Sequence, residues 1–201
     1  MSHHAGKEDS VDKVSFSLEA GYRIANYKID RQLGSGCTAE AYLVKEVPTG
    51  AERVLKIYDR FQDSEKIKNL HDFAHYCWFL EQVSDVGLLP RYSHMAHVFL
   101  DDEDGIGHYY MIQEYIAGEP FSIECSHDMV LAFCEKVERI HLLEYAVGDI
   151  SPENLLISKG AIRAVDCNYG HHNKPYTDTG ADWKAIRKLF GATFEIPSKY
   201  R

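Results

Sequence analysis

Residues 147–157 read VGDISPENLLI, and residues 164–170 follow as AVDCNYG. These segments place the carboxylates of Asp149 and Asp166 and the carboxamide of Asn154 beside short apolar runs that are typical of strands. A carboxylate can accept a proton from a hydroxyl group, and carboxylate and amide oxygens are hard ligands of the kind that Mg²⁺ prefers. We interpret the segments as a base beside an acceptor hydroxyl, with a Mg²⁺ site close by.

Two features upstream fit the same chemistry. Gly34, Ser35 and Gly36 lie in a turn between two predicted strands, where glycine lets backbone N–H groups approach an anion closely. Such a turn is equally typical of an ordinary hairpin. Lys56 lies within an apolar strand at residues 54–58, where a lysine needs an anionic partner such as a phosphate or a carboxylate. The alternative for Lys56 is an ammonium group that reaches solvent at a sheet edge.

A carboxylate partner for Lys56 is expected on the helix that follows it. Glu81 is our preferred candidate because it stands in the otherwise apolar segment 78–81, where a charge requires a reason. Glu65 is the rival, but it lies in the first turn of the predicted helix, where acidic residues often serve only the helix dipole.

The remaining pattern predicts a β-rich first half with one helix and a mostly helical second half. Residues 98–100 and 109–116 read as a hairpin that closes the first sheet. The other predicted strands cover residues 27–33, 41–47, 53–58, 155–158 and 161–165, and the predicted helices cover residues 63–86, 128–144 and 182–190.

Composition excludes several classes of protein. The formal charge of −9 over 201 residues argues against a nucleic-acid partner, which requires clustered Lys and Arg. No apolar run approaches the ~18 residues that span a membrane. The five cysteines form no CxxC pair, so we expect reduced thiols and neither a disulfide framework nor a zinc site.

Taken in order, these features resemble the eukaryotic-like protein kinase fold: a glycine-rich loop, a strand lysine, a helix glutamate, a DxxxxN catalytic loop and a metal-binding aspartate. The resemblance implies an α+β, minimal two-lobed fold with a β-rich N-lobe that contains one helix and a reduced helical C-lobe. We expect a mobile leader at residues 1–20, which could serve as a secretion signal, an N-lobe at 21–116 and a C-lobe at 117–201.

The resemblance also assigns roles. Lys56 would hold the α- and β-phosphates of ATP and pair with Glu81, while Asp149 would orient or deprotonate the acceptor hydroxyl. Asn154 and Asp166 would coordinate Mg²⁺. The remaining expected contacts are with the phosphates at Gly34, Ser35 and Gly36, and with adenine at Glu114 and Ile116 in a hinge behind the gatekeeper Gln113; Asp182 and Trp183 would begin the helix that supports the catalytic loop.

Four departures from the kinase pattern stand out. Val147 and Gly148 replace the usual His-Arg before the catalytic aspartate, so control by a phosphorylated activation loop is not expected. Ser151 stands where serine/threonine kinases carry a lysine, which removes one phosphate contact. Cys167 follows the metal aspartate in place of phenylalanine, and residues 171–201 are too few for an ordinary peptide-docking half of the C-lobe.

Among kinases of this length, the chain resembles the HopBF family of bacterial type III effectors. That resemblance implies a monomeric serine/threonine kinase, delivered into the host cytoplasm, that inactivates the eukaryotic ninety-kilodalton heat-shock chaperone by phosphorylating it. Two alternatives stay open. One is a small-molecule phosphotransferase of the same superfold, and the other is a pseudokinase that binds a partner without catalysis.

Overall fold

A computed structural model describes residues 18–36, 39–58, 70–100, 107–167 and 178–198. Most of the predicted leader, the start of the predicted first helix with Glu65, and residues 168–177 lie outside these ranges. In the described residues, no helix is both long enough and apolar enough to cross a membrane.

The first half of the chain forms a six-stranded antiparallel sheet in the order β1-β2-β3-β4-β6-β5. Apolar, β-branched and aromatic residues dominate its central strands, and this composition suits a sheet that is covered on both faces. Lys56 lies in β4 opposite Ala41 and Met111, at the middle of the sheet. The strands are β1 (Arg23–Ile24), β2 (Tyr27–Ser35), β3 (Ala39–Glu46), β4 (Glu52–Tyr58), β5 (Tyr92–Phe99) and β6 (Gly107–Glu114).

One helix, α1 (Leu70–Gln82), packs against this sheet. Its inward face carries Phe73, Tyr76, Cys77 and Leu80 at helical spacing, and all four side chains are buried. The Phe73 ring lies 4.8 Å from that of Tyr58 in β4 and 5.4 Å from that of Tyr109 in β6, measured between centroids. These contacts fix α1 directly behind the strand that carries Lys56.

The second half contains two further α-helices and a small sheet. Ser126 begins α2 (His127–Leu142) by accepting a hydrogen bond from the N–H of Met129, and Asp178 begins α3 (Thr179–Phe190) by accepting one from the N–H of Ala181. The small sheet has the antiparallel order β7-β8-β9, formed by Glu119–Pro120, Leu155–Ser158 and Ala161–Ala164.

The buried apolar residues form two clusters on opposite sides of the large sheet. The larger cluster joins α1, α2, α3 and the small sheet, and includes Tyr58, Phe133, Val147 and Phe190. The smaller cluster covers the other face of the large sheet, and Leu18 and Tyr22 pack against it. Because the larger cluster runs from the sheet to α3, the segment that contains Asp149 rests on an apolar foundation shared by both halves.

The element pattern agrees with the α+β expectation, with differences at the ends. The predicted helix at 182–190 begins three residues earlier, at Thr179, because Asp178 supplies the cap. The second strand of the predicted hairpin is β6, but its partner β5 starts at Tyr92, six residues before the prediction. The reason is that His94 and His97 pack on aromatic rings of β2 and β6, so these polar residues lie within the strand.

Replacing Phe190 by Ala should lower the free energy of unfolding by about 3–5 kcal/mol, because its buried ring contacts those of Phe121, Phe133 and Phe194. Urea unfolding followed by circular dichroism measures the change. The matched control is Leu142→Ala in α2, whose side chain is 77% exposed and whose loss should change stability by less than about 0.5 kcal/mol. Equal losses for the two variants would contradict the packing described here.

Candidate active site

Lys56 and Asp166, which are 110 residues apart in the chain, meet at the centre of the site. The Lys56 Nζ donates a hydrogen bond to Asp166 Oδ1 at 2.7 Å, and the Lys56 side chain is buried while that of Asp166 is 46% exposed. The same Oδ1 accepts a hydrogen bond from the Cys167 N–H at 2.9 Å. A buried ammonium group requires an anion, and here a carboxylate that still reaches solvent supplies it.

Glu81 is the partner that the sequence predicts for Lys56. Glu81 lies near the end of α1 and is exposed, and of the described carboxylates it is Asp166 that forms the ion pair with Lys56. The pairing of Lys56 with Glu81 therefore stays a prediction. Its rival, Glu65, is outside the described residues.

The catalytic-loop candidates Asp149 and Asn154 contact each other. The Asn154 Nδ2 donates to Asp149 Oδ2 at 2.8 Å and to the Asp149 carbonyl at 3.1 Å, and the side chain of Asp149 is exposed. Both Gly148 and Asp149 have positive φ angles, of 63° and 49°. Glycine adopts this conformation readily, but Asp149 does so at a cost of about 1 kcal/mol or more, which the surrounding contacts must offset.

Asp182, in the first turn of α3, supplies those contacts. Its carboxylate is 1% exposed and accepts hydrogen bonds from the N–H groups of Val147 at 2.7 Å and Gly148 at 2.8 Å. The His141 Nε2 lies 2.9 Å from the same carboxylate. This agrees with the sequence interpretation of Asp182 as the support of the catalytic loop. His141 was missed, although a histidine on the apolar face of α2 was a usable signal.

The donor set fits a Mg²⁺ ion bound with ATP. Among the described residues, Asn154 Oδ1 and Asp166 Oδ2 accept no hydrogen bond, so both hard oxygens are available. The Val165 N–H donates to the Asn154 carbonyl at 2.9 Å and keeps the two segments together. Mg²⁺ takes only one or two protein carboxylates or amides and completes its shell with phosphates and water. Asn154 and Asp166 therefore suffice as protein ligands.

The glycine-rich turn joins β2 to β3. Gly34 pairs with Ala41 and Ser35 pairs with Glu40, while the Gly36 N–H donates to the Ala39 carbonyl at 2.9 Å. A Cβ atom added to Gly34 would meet no atom within 4 Å, so packing within the protein does not require a glycine there. Open space beside the backbone is what close approach of a phosphate needs.

The predicted hinge follows β6. Gln113 and Ile116 are buried, and in the parts of the chain that the structure describes the Ile116 N–H has no hydrogen-bond acceptor. This unpartnered donor fits adenine, which offers ring nitrogens as acceptors. The next carbonyl, that of Ala117, accepts a hydrogen bond from Ser158 Oγ at 2.6 Å, which ties the hinge to β8.

Cys167, which follows Asp166, lies in a buried polar contact with α1. Its Sγ is 3.6 Å from the Tyr76 hydroxyl, which also hydrogen bonds to Tyr58. Burial, and then the nearby Asp166 charge, raise the pKa of Cys167 to about 12. Burial likewise raises the pKa of Tyr58 and Tyr76 well above the ordinary value. All three groups are therefore neutral at physiological pH.

Comparisons with known proteins identify the fold. The kinase domain of PknI from Mycobacterium tuberculosis is similar over 87% of this chain and 77% of its own length, with a TM-score of 0.58 and 15% identity. A variant of that domain gives a TM-score of 0.60 at 14% identity, over 92% of this chain and 81% of its own. Another solved kinase domain gives 0.64 at 12% identity, over 88% and 68% of the two chains. The fold is protein-kinase-like.

Sequence comparison also finds similarity to a protein kinase. A cAMP-dependent protein kinase catalytic subunit-like protein of Caenorhabditis elegans is 26% identical over 193 residues, which is 88% of this chain and 44% of the relative. The chain thus spans less than half the length of that relative. No family model matches the sequence. The narrower resemblance to HopBF effectors is not confirmed by these comparisons.

Replacing Asp182 by Asn should lower the free energy of unfolding by about 2–4 kcal/mol. An amide offers one acceptor oxygen where the carboxylate serves the N–H groups of Val147 and Gly148, and its own NH₂ would face a buried donor. Urea unfolding measures the loss, and Asp85→Asn, on an exposed residue, is the control. An Asp182→Asn variant as stable as the parent would show that the carboxylate does not hold the loop.

The buried thiols predict a loss of stability in alkali. The pKa values of Cys77 and Cys167 are raised from 9.0 to about 12 in the folded protein. Above pH 9 the unfolded chain releases these protons while the folded chain keeps them, so stability is fully present below pH 9 and falls as pH rises towards 12. The slope is at most about 1.4 kcal/mol per pH unit for each group.

Urea unfolding at pH 8 and pH 10.5 tests this prediction. The variant Cys167→Ala should lose less stability between the two pH values than the parent does, because one of the shifted groups is gone. At pH 8, peptide-resolved alkylation of the native protein should leave Cys77 and Cys167 unmodified. An identical pH dependence in parent and variant, or rapid alkylation of Cys167, would refute the assignment.

Proposed function

We propose that this protein transfers the γ-phosphate of ATP, in the presence of Mg²⁺, to a serine or threonine hydroxyl of another protein. The observation that carries the proposal is the arrangement around Lys56 and Asp166. A buried cation, two available hard oxygens and an exposed carboxylate on a loop fixed by Asp182 occur together in a protein-kinase-like fold. ATP with Mg²⁺ supplies the phosphoryl group and the neutralising charge when bound.

The residues of the chain would act mainly by positioning. Lys56 carries the positive charge for the α- and β-phosphates, and its contact with Asp166 holds that charge beside the metal ligands. The Asn154 amide fixes the Asp149 carboxylate by a hydrogen bond of 2.8 Å. Asp149 orients the acceptor hydroxyl and takes its proton as the oxygen bonds to phosphorus and the bond between phosphorus and the departing ADP oxygen breaks.

The acceptor is the finer part of the proposal. The resemblance to HopBF effectors supports the ninety-kilodalton heat-shock chaperone of a eukaryotic host as the substrate, and its inactivation as the effect. It also supports delivery into the host cytoplasm by a type III secretion system. The absence of a His-Arg pair at Val147 and Gly148 supports an enzyme that needs no activation-loop phosphorylation.

A small-molecule phosphotransferase is the second candidate. The Gly148-Asp149 pair and the Ser151-Pro152 pair are features of many such enzymes, and Ser151 cannot supply the cation that serine/threonine kinases place there. The two candidates share ATP, Mg²⁺ and all the site residues, and they differ only in the acceptor.

Incubation of the purified chain with γ-labelled ATP, Mg²⁺ and a eukaryotic lysate should yield one dominant phosphoserine on the heat-shock chaperone, identified by mass spectrometry. Asp166→Ala should lower the incorporation of label more than about a thousandfold, because it removes a proposed metal ligand and the partner of Lys56. Glu135→Ala, on an exposed residue of α2, is the matched control and should retain full activity.

The outcomes separate the candidates. Label on a different protein would keep the kinase proposal and overturn the chaperone as substrate. Label confined to soluble metabolites would favour the small-molecule enzyme. No transfer to any acceptor, with the biological effect unchanged in Asp166→Ala, would mean that the protein is a pseudokinase.

A further inference from the structure

Arg163, in β9, connects segment 88–89 to Glu114 of the predicted hinge. Its Nε donates to the Leu88 carbonyl at 3.2 Å, and one Nη2 donates both to the Leu89 carbonyl at 3.1 Å and to Glu114 Oε2 at 3.3 Å. Only 18% of the Arg163 side chain is exposed. A guanidinium group this enclosed, with all its contacts on fixed acceptors, holds one geometry.

Glu114, the last residue of β6 and the first residue of the predicted hinge, is tied down from two sides. Its N–H donates to the Arg91 carbonyl at 2.8 Å, and its carboxylate accepts from the Arg91 N–H at 3.1 Å as well as from Arg163. Leu88 and Leu89, whose carbonyls accept hydrogen bonds from the guanidinium, are fully buried. Arg163 is therefore one of the groups that hold this end of the hinge, and it acts through the Glu114 carboxylate.

Arg163 also stands three residues before Asp166 in the same segment. The Ala164 N–H donates to the Leu88 carbonyl at 3.1 Å, the acceptor that Arg163 uses too. Lys136 reinforces the same stretch, because its Nζ donates to the Gly87 carbonyl at 3.0 Å. Segment 87–89 is thus held by several hydrogen bonds, and Arg163 connects it to Glu114 of the predicted hinge.

We propose that Arg163 is a positioning residue for adenine: through Glu114 it sets the place of the hinge groups that bind the base, so that it governs affinity for the nucleoside part of ATP and not for its phosphates. This inference rests on the proposed function. The bond of 2.9 Å from Val165 to Asn154, the pair of Lys56 with Asp166 and the support from Asp182 do not involve the guanidinium, so the phosphate end keeps its own contacts.

A general structural role would give a different result from a positioning role. If Arg163 only stabilised the fold, its loss would weaken the binding of every ligand equally and would lower thermal stability in proportion. A positioning role separates the two ends of the nucleotide. Adenosine reports on the hinge alone and tripolyphosphate with Mg²⁺ reports on the phosphate end alone, so the ratio of their affinities distinguishes the two roles.

The experiment measures dissociation constants of the full chain for ATP, adenosine and tripolyphosphate, with Mg²⁺ present, by isothermal titration calorimetry. Arg163→Gln should weaken the binding of adenosine about five- to tenfold and the binding of tripolyphosphate less than twofold. A change of that size in adenosine affinity corresponds to the loss of one charge-assisted contact. Arg163→Lys should fall between the parent and Arg163→Gln, because one ammonium group cannot reach all three acceptors. Arg139→Gln, on an exposed arginine of α2, is the control for charge.

Glu114→Gln gives an independent test should Arg163→Gln fold poorly. The amide keeps an acceptor for the Arg91 N–H but loses the charge that faces Arg163. It should reproduce the selective loss of adenosine affinity, and combining it with Arg163→Lys should add less than the two separate effects.

Unchanged adenosine binding in Arg163→Gln and Glu114→Gln, or equal weakening of adenosine and tripolyphosphate, would overturn the positioning role and leave the proposed kinase activity standing. A parent protein that binds neither ATP nor adenosine would overturn both. Selective loss of adenosine in the variants, with kcat changed less than the KM for ATP, establishes the role.

Discussion

The buried carboxylate of Asp182 is the constraint on which the site depends. It is 1% exposed, and in the described residues no lysine or arginine pairs with it. A charge in such a place is tolerated only when several donors surround it, and the N–H groups of Val147 and Gly148 together with His141 do so. The start of α3, the end of α2 and the loop before Asp149 must therefore meet at one point, which also holds Asp149 in its strained conformation.

Long-range polar contacts then connect this point to the rest of the molecule. Lys56 reaches Asp166 from the large sheet, and Arg163 reaches Glu114 from the small one. Each joins segments that the apolar core alone would leave free to shift, because apolar packing is not directional. The core brings the two halves together, whereas the charged contacts are directional and join specific side chains across it.

The fold class was predictable from the sequence because the candidate site residues occur in the order that is typical of kinases, from the glycine-rich turn to Asp166. The positions of Lys56, Asp149, Asn154 and Asp166 followed from motifs, but the contact of Lys56 with Asp166 did not, since the sequence pointed to Glu81 as the partner. A helical pattern shows which face of a helix is apolar, but it does not identify which carboxylate meets a lysine of a distant segment. The contacts of Arg163 were not predictable, because no sequence pattern distinguishes a buried arginine in a short strand from a solvent-exposed arginine.

The cysteine after Asp166 shows how the core adapts around the site. Cys167 belongs to the larger apolar cluster. Tyr58 and Tyr76 lie there, and their hydroxyl groups would be costly to bury alone. They hydrogen bond to each other, and Tyr76 bonds to Cys167 Sγ. Polar contacts thus accompany apolar packing between α1 and the segment that contains Asp166 and Cys167. Such a contact depends on direction as well as on area, so a shift of α1 would be felt at Asp166 even where the apolar surfaces remained in touch.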